Sequence, residues 1–350
     1  MNVRSVHATL LGAVLMSLAL MQAAGPPRIT GLEFGFSAAE GLGLEPGICR
    51  RDPSDVIRVK DRYFVFFTKV NRDELPPHRR SLYPSGYAGT VWYAFSTDGR
   101  HWTEGGEALG CGAAGAFDAH AVFTPNVLVR GGRCWLYYTG VKPTPGQSLE
   151  VFENNNHDDF TAIGVAVADQ PEGPFKRVSP EPILTVGEDA ERFDSYRVDD
   201  ACLLVRDGRI WLYYKGRSLR HGGAGPRHTE MGVAVAERPE GPFRKVSQGA
   251  SVLNSGHEVQ VWGGAGGGVL CLVSDTGPQA RTLQWAPDGL AFRPLLGELR
   301  DLPKAPGLFR PELTDPAVVS DGAVWGISMA PGPHPHLVRY DGEWQTGAGQ

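Results

Sequence analysis

One segment of the 350-residue chain occurs twice, and this repeat restricts the possible folds more than any other feature of the sequence. The segment "IGVAVADQPEGPFKRVS" at 163–179 returns as "MGVAVAERPEGPFRKVS" at 231–247. Likewise, "RCWLYYTG" from Arg133 returns as "RIWLYYKG" from Arg209. A period of about 70 residues is typical of proteins in which one small structural unit is repeated side by side. We therefore expect an array of similar units.

The repeated unit consists of short β-strand patterns. Runs rich in Val, Ile, Tyr, Phe and Trp are separated by Gly, Pro and Asp-Gly turns, and long amphipathic helical patterns are almost absent after the first 24 residues. The 46 glycines and 27 prolines fit many tight connections, which need residues with positive or fixed φ. The sequence thus predicts an all-β fold.

Five strand openings fit one unit of four strands. They begin at Arg51, Phe123, Asp199, Gly256 and Thr314. Five such units form a five-bladed β-propeller, in which radial repetition leaves only short sheet edges. Because a blade without neighbours could not bury its faces, residues 25–350 are predicted to form one domain. Two β-sandwiches are the alternative, but they give no reason for the long repeat.

The first residues have the pattern of a secretory signal. Arg4 and His7 precede an apolar run over 9–21, and the small residues Ala23 and Ala24 follow it. This run is shorter than the roughly 20 residues that a membrane span needs. We expect residues 1–24 to be a signal peptide and the mature protein to be secreted or periplasmic, without a membrane partner. A membrane anchor is the alternative.

Charge and cysteine usage argue against two classes of function. The net charge is -5, and Lys and Arg are scattered along the chain, so nucleic acid is not an expected partner. The five cysteines form no CxxC pair and no zinc spacing, and their odd number leaves at least one unpaired within the chain. Cys134, Cys202 and Cys271 lie in apolar strand patterns, where we expect buried thiols.

Titratable residues recur at the openings of the units. In a propeller the first strand of each blade lines the central axis, so these residues should converge on one funnel. They are Asp52, Asp55, Asp118, His120, Asp199, Asp200, His257, Glu258 and Asp315. Glycoside hydrolysis needs one group that protonates the leaving oxygen and a second that activates water or attacks carbon. A third carboxylate can hold the pKa of the acid high.

Several of these residues also have a structural interpretation. Asp52 and Asp315 each precede a proline, which is a common setting for a turn, and Asp315 is expected to be structural. Successive side chains of a strand point to opposite faces, so at most one of Asp199 and Asp200 should face the axis. Asp200 is preferred because it directly enters the "ACLLV" strand. Whether Asp52 or Asp55 would be the base stays open.

Four segments resemble a known family. "RRDPSDVI", "FDAHAVFTPNVLV", "VDDACLLVRDGRIWLYYKG" and "SGHEVQVW" are similar to glycoside hydrolase family 117, among the five-bladed glycoside hydrolases related to family 43. The resemblance covers nearly the entire mature chain. It implies an exo-acting enzyme that releases 3,6-anhydro-L-galactose from the non-reducing end of neoagaro-oligosaccharides, with inversion at the anomeric carbon.

The resemblance also implies residue roles. Asp52 would be the general base, His257 the general acid, and Asp200 the carboxylate that tunes the acid or supports the transition state. Glu258 would bind or orient the sugar. An imidazolium has an ordinary pKa of about 6.5, and neighbouring carboxylates would raise it. The remaining residues that we assign to substrate binding are Asp118, His120, Thr124, Arg51 and Lys215.

The sequence departs from the family at its N-terminal end. Members often carry a Ser-x-Ala-x-x-Arg helix that swaps into a partner subunit, whereas "SAAEGL" at 37–42 keeps Ser37 and Ala39 but has Leu42 in place of arginine. A homodimer stays an alternative, but the sequence gives no support for the swapped helix. No cofactor is required, although a structural divalent cation in the axial channel would fit related propellers.

Other functions stay open at the level of the sequence. One is a related propeller glycosidase, such as an arabinosidase or a galactosidase, and another is a glycoside phosphorylase acting on a different glycan. A phosphorylase needs a basic cluster for phosphate, for which Arg51, Lys215 and Arg217 are the candidates. A third alternative is a non-catalytic carbohydrate-binding propeller, which would have little reason to keep an acid, a base and a third carboxylate on separate blades.

Overall fold

In the structure, a computed structural model, the regular secondary structure is mainly short antiparallel strands. The structure describes residues 25–143, 159–246, 249–257, 259–264, 267–274, 276–315, 318 and 324–346. The predicted signal peptide at 1–24 lies outside these residues. Within them, no helix is long and apolar enough to cross a membrane. Four short 3-10 helices span Pro77–Leu82, Gly86–Ala88, Leu219–Arg227 and Pro311–Leu313.

The strands form five sheets, which we call blades 1 to 5. Blade 1 contains β2 (Ile48–Arg51), β3 (Ile57–Val59), β4 (Arg62–Asn71), β5 (Thr90–Ser96) and β6 (Trp102–Leu109). Blade 2 contains β7 (Ala121–Arg130), β8 (Arg133–Pro143), β9 (Asp159–Ala168) and β10 (Lys176–Arg177). Blade 3 contains β11 (Arg197–Arg206), β12 (Arg209–Arg217), β13 (Glu230–Ala236) and β14 (Arg244–Lys245). Blade 4 contains β15 (Val259–Gly263), β16 (Val269–Val273), β17 (Thr282–Ala286) and β18 (Arg293–Leu296).

Blade 5 combines the two ends of the described chain. It contains β19 (Gly307–Leu308), β20 (Val324–Ala330), β21 (His336–Gln345) and β1 (Gly31–Ala38). β1 pairs with β21 along eight residues of each strand, from Gly31 opposite Gln345 to Ala38 opposite Val338. This pairing closes the ring, and the predicted five-bladed β-propeller is confirmed. That residues 25–350 form one domain stays a prediction.

The sequence repeat corresponds to a structural repeat in blades 2 and 3. In blade 2, Tyr138 donates a hydrogen bond of 2.9 Å to Asp118 and stacks on Phe117. In blade 3, Tyr214 donates one of 2.8 Å to Asp194 and stacks on Phe193. The two aspartates are buried, and each also contacts a cation of its own blade: Arg177 for Asp118 and Lys245 for Asp194. The Phe-Asp dipeptides therefore belong to the repeated scaffold.

A buried ion pair lies where all five blades meet. The Asp55 carboxylate accepts hydrogen bonds from the Gln260 side chain at 2.6 Å and the Leu308 amide at 2.9 Å, which come from blades 4 and 5. Arg310 approaches the same carboxylate at 3.4 Å and donates to the carbonyl groups of Val261 and Leu203, in blades 4 and 3. The Arg310 guanidinium thus supplies positive charge at the axis. This is the place where the sequence analysis considered a structural divalent cation. The described residues contain no group of three or more metal-binding side chains.

Replacing Arg310 by methionine should destabilise the fold strongly. Removal of one partner of a buried ion pair costs about 3–5 kcal/mol, because the other charge stays buried. Burial already raises the pKa of Asp55, with the charge of Arg310 opposing it. A carboxyl whose pKa is raised in the folded state binds its proton more tightly there than in the unfolded state. Stability therefore falls as the pH rises from the pKa of the unfolded state through that of the folded state. The loss should therefore be larger at pH 7 than near pH 4, as measured by urea unfolding.

The double variant Arg310→Met, Asp55→Asn provides the control. It removes the buried charge of Asp55 together with Arg310 and leaves only Glu312, which is 18% exposed, without its cation, so part of the lost stability at pH 7 should return. Equal stability of Arg310→Met and the wild type at pH 7 would show that the ion pair does not hold the blades together.

The first strand of blade 5 in the structure is the two-residue β19. In the segment predicted to open at Thr314, Thr314 and Asp315 follow a 3-10 helix, and most of the other residues up to β20 lie outside the described ones. The "SAAEGL" segment, where the sequence departs from the swapped helix of the family, forms the end of β1 and a turn, with Ala39 and Leu42 buried in their own chain. Cys134, Cys202 and Cys271 are buried free thiols, as expected.

Candidate active site

A cavity that opens to solvent lies at the centre of the ring. Concave sites of this kind, with a few convergent polar groups, are where small molecules bind. Residues of all five blades and their connections line it. They are Arg51, Asp52, Pro53, Tyr87, Phe123, Thr124, Pro125, Asn126, Arg197, Asp199, Asp200, Ala201, Cys202, Lys215, Arg217, His257, Val259, Gln260, Ala305 and Pro306. Six predicted site residues are therefore together: Arg51, Asp52, Thr124, Asp200, Lys215 and His257.

Strained backbone marks the edge of this cavity. Asp52, Thr124, Asp200 and Ala305 have φ between 43° and 54°, in the left-handed region. They come from blades 1, 2, 3 and the segment that leads into blade 5. A residue other than glycine in this region costs of order 1–3 kcal/mol, and such residues cluster at functional sites. The recurrence at one level of the propeller indicates that the strain serves to direct these residues toward the cavity.

The inner strands are irregular at the same level. In blade 1 the inner strand is interrupted between β2 and β3, while β7 has a register shift between Phe123 and Asn126 and β11 has one between Asp199 and Cys202. A β-bulge changes the direction of side chains and is common beside active sites. The bulge in β11 overturns the expectation that only one of Asp199 and Asp200 faces the cavity, since both line it.

Threonine hydroxyls of neighbouring blades support the strained residues. The Thr124 amide donates to the Thr68 hydroxyl at 3.0 Å, and the Asp200 amide donates to the Thr139 hydroxyl at 3.3 Å. The Thr124 and Thr139 hydroxyls are 2.6 Å apart. In blades 1 and 2, a threonine of β4 or β8 thus accepts a hydrogen bond from the irregular inner strand of the following blade. Thr124 is part of this support as well as of the cavity wall.

Lys215 takes the place of these threonines in blade 3. Opposite residues in the ladders are Arg51 and Thr68 in blade 1, Phe123 and Thr139 in blade 2, and Asp199 and Lys215 in blade 3. The Lys215 ammonium is 2.6 Å from Asp200 and 3.4 Å from Asp199. A lysine between two aspartates is therefore a feature of this blade, built onto the shared scaffold.

The two aspartates differ in their protonation. Burial raises the pKa of Asp199 to about 6, although Lys215 opposes the effect. Burial would also raise the pKa of Asp200, but the charge and hydrogen bond of Lys215 outweigh it, with a further contribution from His257, so this pKa is lowered. Asp200 is consequently ionised at neutral pH, and its side chain is 27% exposed toward the cavity.

Asp52 and His257 complete the set of titratable residues on the wall. The Arg51 guanidinium donates to the Asp52 carboxylate at 2.8 Å, which fixes its direction, and 12% of the Asp52 side chain is exposed. His257 precedes β15 in blade 4 and is half-buried. Its charge is close enough to lower the pKa of Asp200, and by the same interaction an ionised Asp200 stabilises the imidazolium.

Two predicted substrate-binding residues, Asp118 and His120, are not among the described residues that line the cavity. Asp118 is buried beneath blade 2, where Tyr138 and Arg177 hold it, so its placement does not support contact with substrate. His120 lies 3.3 Å from Arg79, and burial lowers its pKa to about 4, which keeps the ring neutral at pH 7. Glu258 lies outside the described residues.

The sequence predictions missed part of the wall. Tyr87 and Phe123, in edge-to-face contact with ring centroids 5.2 Å apart, give the cavity an apolar side suited to the face of a sugar ring. Arg197 lies over the Tyr87 ring at 5.1 Å. Lys215, which was predicted, stands where the repeat changes: "YYTG" in blade 2 aligns with "YYKG" in blade 3, which exchanges a small hydroxyl for a charge.

Comparison with known proteins supports the fold and the class of enzyme. No family profile and no curated protein matches the chain. Among solved structures, Zg3597, a family 117 glycoside hydrolase produced by the marine bacterium Zobellia galactanivorans, is 25% identical, with a TM-score of 0.75 over 91% of this chain and 95% of that chain.

More distant structures share the fold. An endo-arabinase from Bacteroides thetaiotaomicron is 14% identical, with a TM-score of 0.54 over 86% of this chain and 97% of that chain. A GH43_1 enzyme from Xanthomonas citri is also 14% identical, with a TM-score of 0.55 over 88% of this chain and 90% of that chain. The chain is thus a five-bladed propeller of the glycoside hydrolase type, and its resemblance to family 117 is confirmed.

Proposed function

We propose that the protein is an exo-acting glycoside hydrolase that inverts the configuration at the anomeric carbon. The observation that carries the proposal is the convergence of Asp52, Asp200 and His257, from three blades, on one cavity. Three separate titratable groups are what acid and base catalysis of glycoside cleavage requires. The cavity also combines polar donors with an aromatic side at Tyr87 and Phe123, as a sugar site does.

Asp52 serves as the base in this proposal. The alternative, Asp55, is 1% exposed and is held by Arg310, Gln260 and the Leu308 amide, so water and substrate do not reach it. Asp52 lines the cavity, and the hydrogen bond from Arg51 fixes the direction of its carboxylate. In the reaction, Asp52 takes a proton from water as the water oxygen bonds to the anomeric carbon.

His257 acts as the acid. Its imidazolium donates a proton to the glycosidic oxygen as the bond from that oxygen to the anomeric carbon breaks. The ionised Asp200, held by Lys215, favours the protonated ring and stabilises positive charge on the sugar in the transition state. After release of both products, Asp52 loses its proton to solvent and His257 regains one.

The released sugar in this proposal is 3,6-anhydro-L-galactose from neoagaro-oligosaccharides, as the resemblance implies. Inversion requires space for water, so the acid and base groups should lie roughly 6.5–9.5 Å apart in the substrate complex. A glycoside phosphorylase is the second candidate, since Arg51, Lys215 and Arg217 line the cavity. We further propose that residues 1–24 direct export, so that the enzyme acts outside the cytoplasm on agar-derived oligosaccharides.

Product analysis tests the proposal. The protein is incubated with neoagarobiose and with a panel of aryl glycosides, and the first-formed anomer is followed by proton NMR. We expect a free monosaccharide whose anomeric configuration is opposite to that of the substrate. Retention of configuration would exclude the inverting mechanism, formation of a glycosyl phosphate in phosphate buffer would favour the phosphorylase, and binding without release of sugar from any substrate would favour a lectin.

A further inference from the structure

Two buried arginines lie opposite each other on the wall of the cavity. Arg197 in β11 is the ladder partner of Arg217 in β12, and they are 1% and 3% exposed. Like charges directly opposite each other destabilise a sheet, and burial of a charge adds a desolvation penalty. The pair therefore destabilises the protein without ligand, and a bound ligand would explain why the two arginines are present.

The fold itself does not require this pair. The equivalent ladder partners are Cys49 and Val70 in blade 1 and Ala121 and Val141 in blade 2. All four of these residues are buried and uncharged, in blades with the same strand pairing. Blade 3 thus replaces a small apolar pair of the repeated scaffold by two guanidinium groups, at the one position where the pair lines the cavity.

Most charges on the cavity wall are already matched. The Lys215 ammonium is between Asp199 and Asp200, and Arg51 is bound to Asp52. Arg197 lies 4.0 Å from Asp199 and packs its guanidinium over the rings of Tyr87 and Tyr196.

Arg217 differs from these cations. Its Nε and Nη1 groups are buried, and neither has a hydrogen-bond acceptor within the described part of the chain. Of the described side chains on the wall, four are permanent cations and three are carboxylates, so the described part of the wall has an excess of positive charge. A buried guanidinium with unused donors beside a second arginine is a site for an oxyanion, which can accept two parallel hydrogen bonds.

We propose that Arg217, together with Arg197, binds an oxyanion carried by the substrate, a sulfate ester or a carboxylate on the sugar that occupies the cavity. The inference rests on the proposed function and narrows its substrate class to anionic oligosaccharides. A neutral sugar could accept hydrogen bonds from Arg217 but would leave its charge without a counterion. Along the strands, the backbone positions of the arginine pair are two residues, or about 7 Å, from those of Asp199 and Lys215.

A phosphate co-substrate explains the site less well. In a phosphorylase, phosphate takes the place of the attacking water, next to the position of the base. That position is held by Asp52, a carboxylate that would repel phosphate, and the adjacent Arg51 is already bound to it. The oxyanion site is instead on blade 3, beside Asp200.

Substrate preference provides the first test. Initial rates are compared for three oligosaccharides with the same backbone: neutral, sulfated at the terminal sugar, and with a uronic acid at that position. We expect kcat/KM to be roughly 10- to 100-fold higher for at least one anionic substrate, the range of one or two charged hydrogen bonds. Equal or faster cleavage of the neutral substrate would overturn the inference and leave the proposed hydrolysis standing.

Variants at the arginine pair provide the second test. Arg217→Gln should remove the preference for the anionic substrate, so that kcat/KM falls more on the anionic than on the neutral substrate, whereas Arg217→Lys should keep part of the preference. Arg209→Gln, at the exposed far end of β12, is the matched control and should behave as wild type. An equal loss on neutral and anionic substrates would show that Arg217 binds hydroxyl groups only.

Binding without turnover separates the inference from the proposed function. Glucuronate, galactose 6-sulfate, galactose and inorganic phosphate are titrated into the full-length protein by calorimetry. Tighter binding of an anionic sugar than of galactose, lost in Arg217→Gln, supports the inference even if no glycoside is cleaved. Tighter binding of phosphate than of either anionic sugar would overturn it. The double variant Arg197→Ala, Arg217→Val carries the residues of blade 2 and should fold if Arg217→Gln does not.

Discussion

Replacement of Asp52 by asparagine should lower kcat/KM by roughly 10²- to 10⁴-fold, the contribution of a positioned general base. The change keeps the size of the side chain and removes only the ability to accept a proton from water. The left-handed backbone at this position favours aspartate and asparagine, so the strained turn should be retained in the variant. Initial rates on a cleaved oligosaccharide, with product binding by calorimetry, measure the effect.

The expected split between rate and binding is the diagnostic result. Asp52→Asn should lower kcat, while the affinity for product should change less than about tenfold. The reason is that the proposed role of the carboxylate is to take a proton from water, which is not part of product binding. Asp61→Asn, in the exposed turn between β3 and β4, is the matched control and should leave the rate unchanged. A fully active Asp52→Asn enzyme would remove Asp52 from the mechanism.

The repeat in the sequence was sufficient to predict the propeller. Strands that alternate with turns at a regular spacing recur in blades 2 and 3 with nearly identical residues, and a blade buries its faces only against neighbours. Blade 5 was harder to predict. Its inner strand β19 has two residues, too few to show any alternation, so no strand pattern indicates it.

The site residues were predicted correctly where side chains alternate regularly along a strand. They were missed where a bulge interrupts that alternation. Alternation of side chains assigned Asp200 to the cavity, but the bulge in β11 brings Asp199 to it as well. The bulge in β11 is supported by a contact with the neighbouring blade 2, the hydrogen bond from the Asp200 amide to the Thr139 hydroxyl. A contact of this kind cannot be recognised in the residue pattern of a single strand. For Asp118, comparison of "AFDAH" with "RFDSY" would have indicated a scaffold role, since both blades carry the dipeptide.

Buried arginines were the hardest residues to predict. Arg310 and Arg197 are each 1% exposed, although arginine in a sequence is normally a surface residue. Each has a partner close in the chain, Glu312 for Arg310 and Asp199 for Arg197, but others are distant: Arg310 also contacts Asp55 and the carbonyl groups of two other blades, and Arg197 lies over Tyr87. Only the closed ring brings these groups together, so neither spacing nor composition indicates them.

Replacement of His257 by alanine should also lower kcat/KM by roughly 10²- to 10⁴-fold, but only for substrates with a sugar as leaving group. Protonation of the leaving oxygen is required when that oxygen is strongly basic. The phenolate of an aryl glycoside with an acidic phenol leaves without being protonated. The kcat/KM for such a substrate should therefore fall much less in the variant. Comparison of the two substrate classes therefore distinguishes the acid from a residue that only positions the sugar. His228→Ala, on the exposed connection after β12, is the matched control.

The pH dependence of the reaction adds an independent test of the same residue. Because the acid must be protonated in the free enzyme, the loss of kcat/KM on the alkaline side reports the pKa of His257. The ionised Asp200 stabilises the imidazolium, so Asp200→Asn should move this limb to lower pH, and Lys215→Met, which leaves the carboxylate without its lysine, should move it to higher pH. In His257→Ala the limb should disappear. An alkaline limb that stays in place in all three variants would assign the acid to another group.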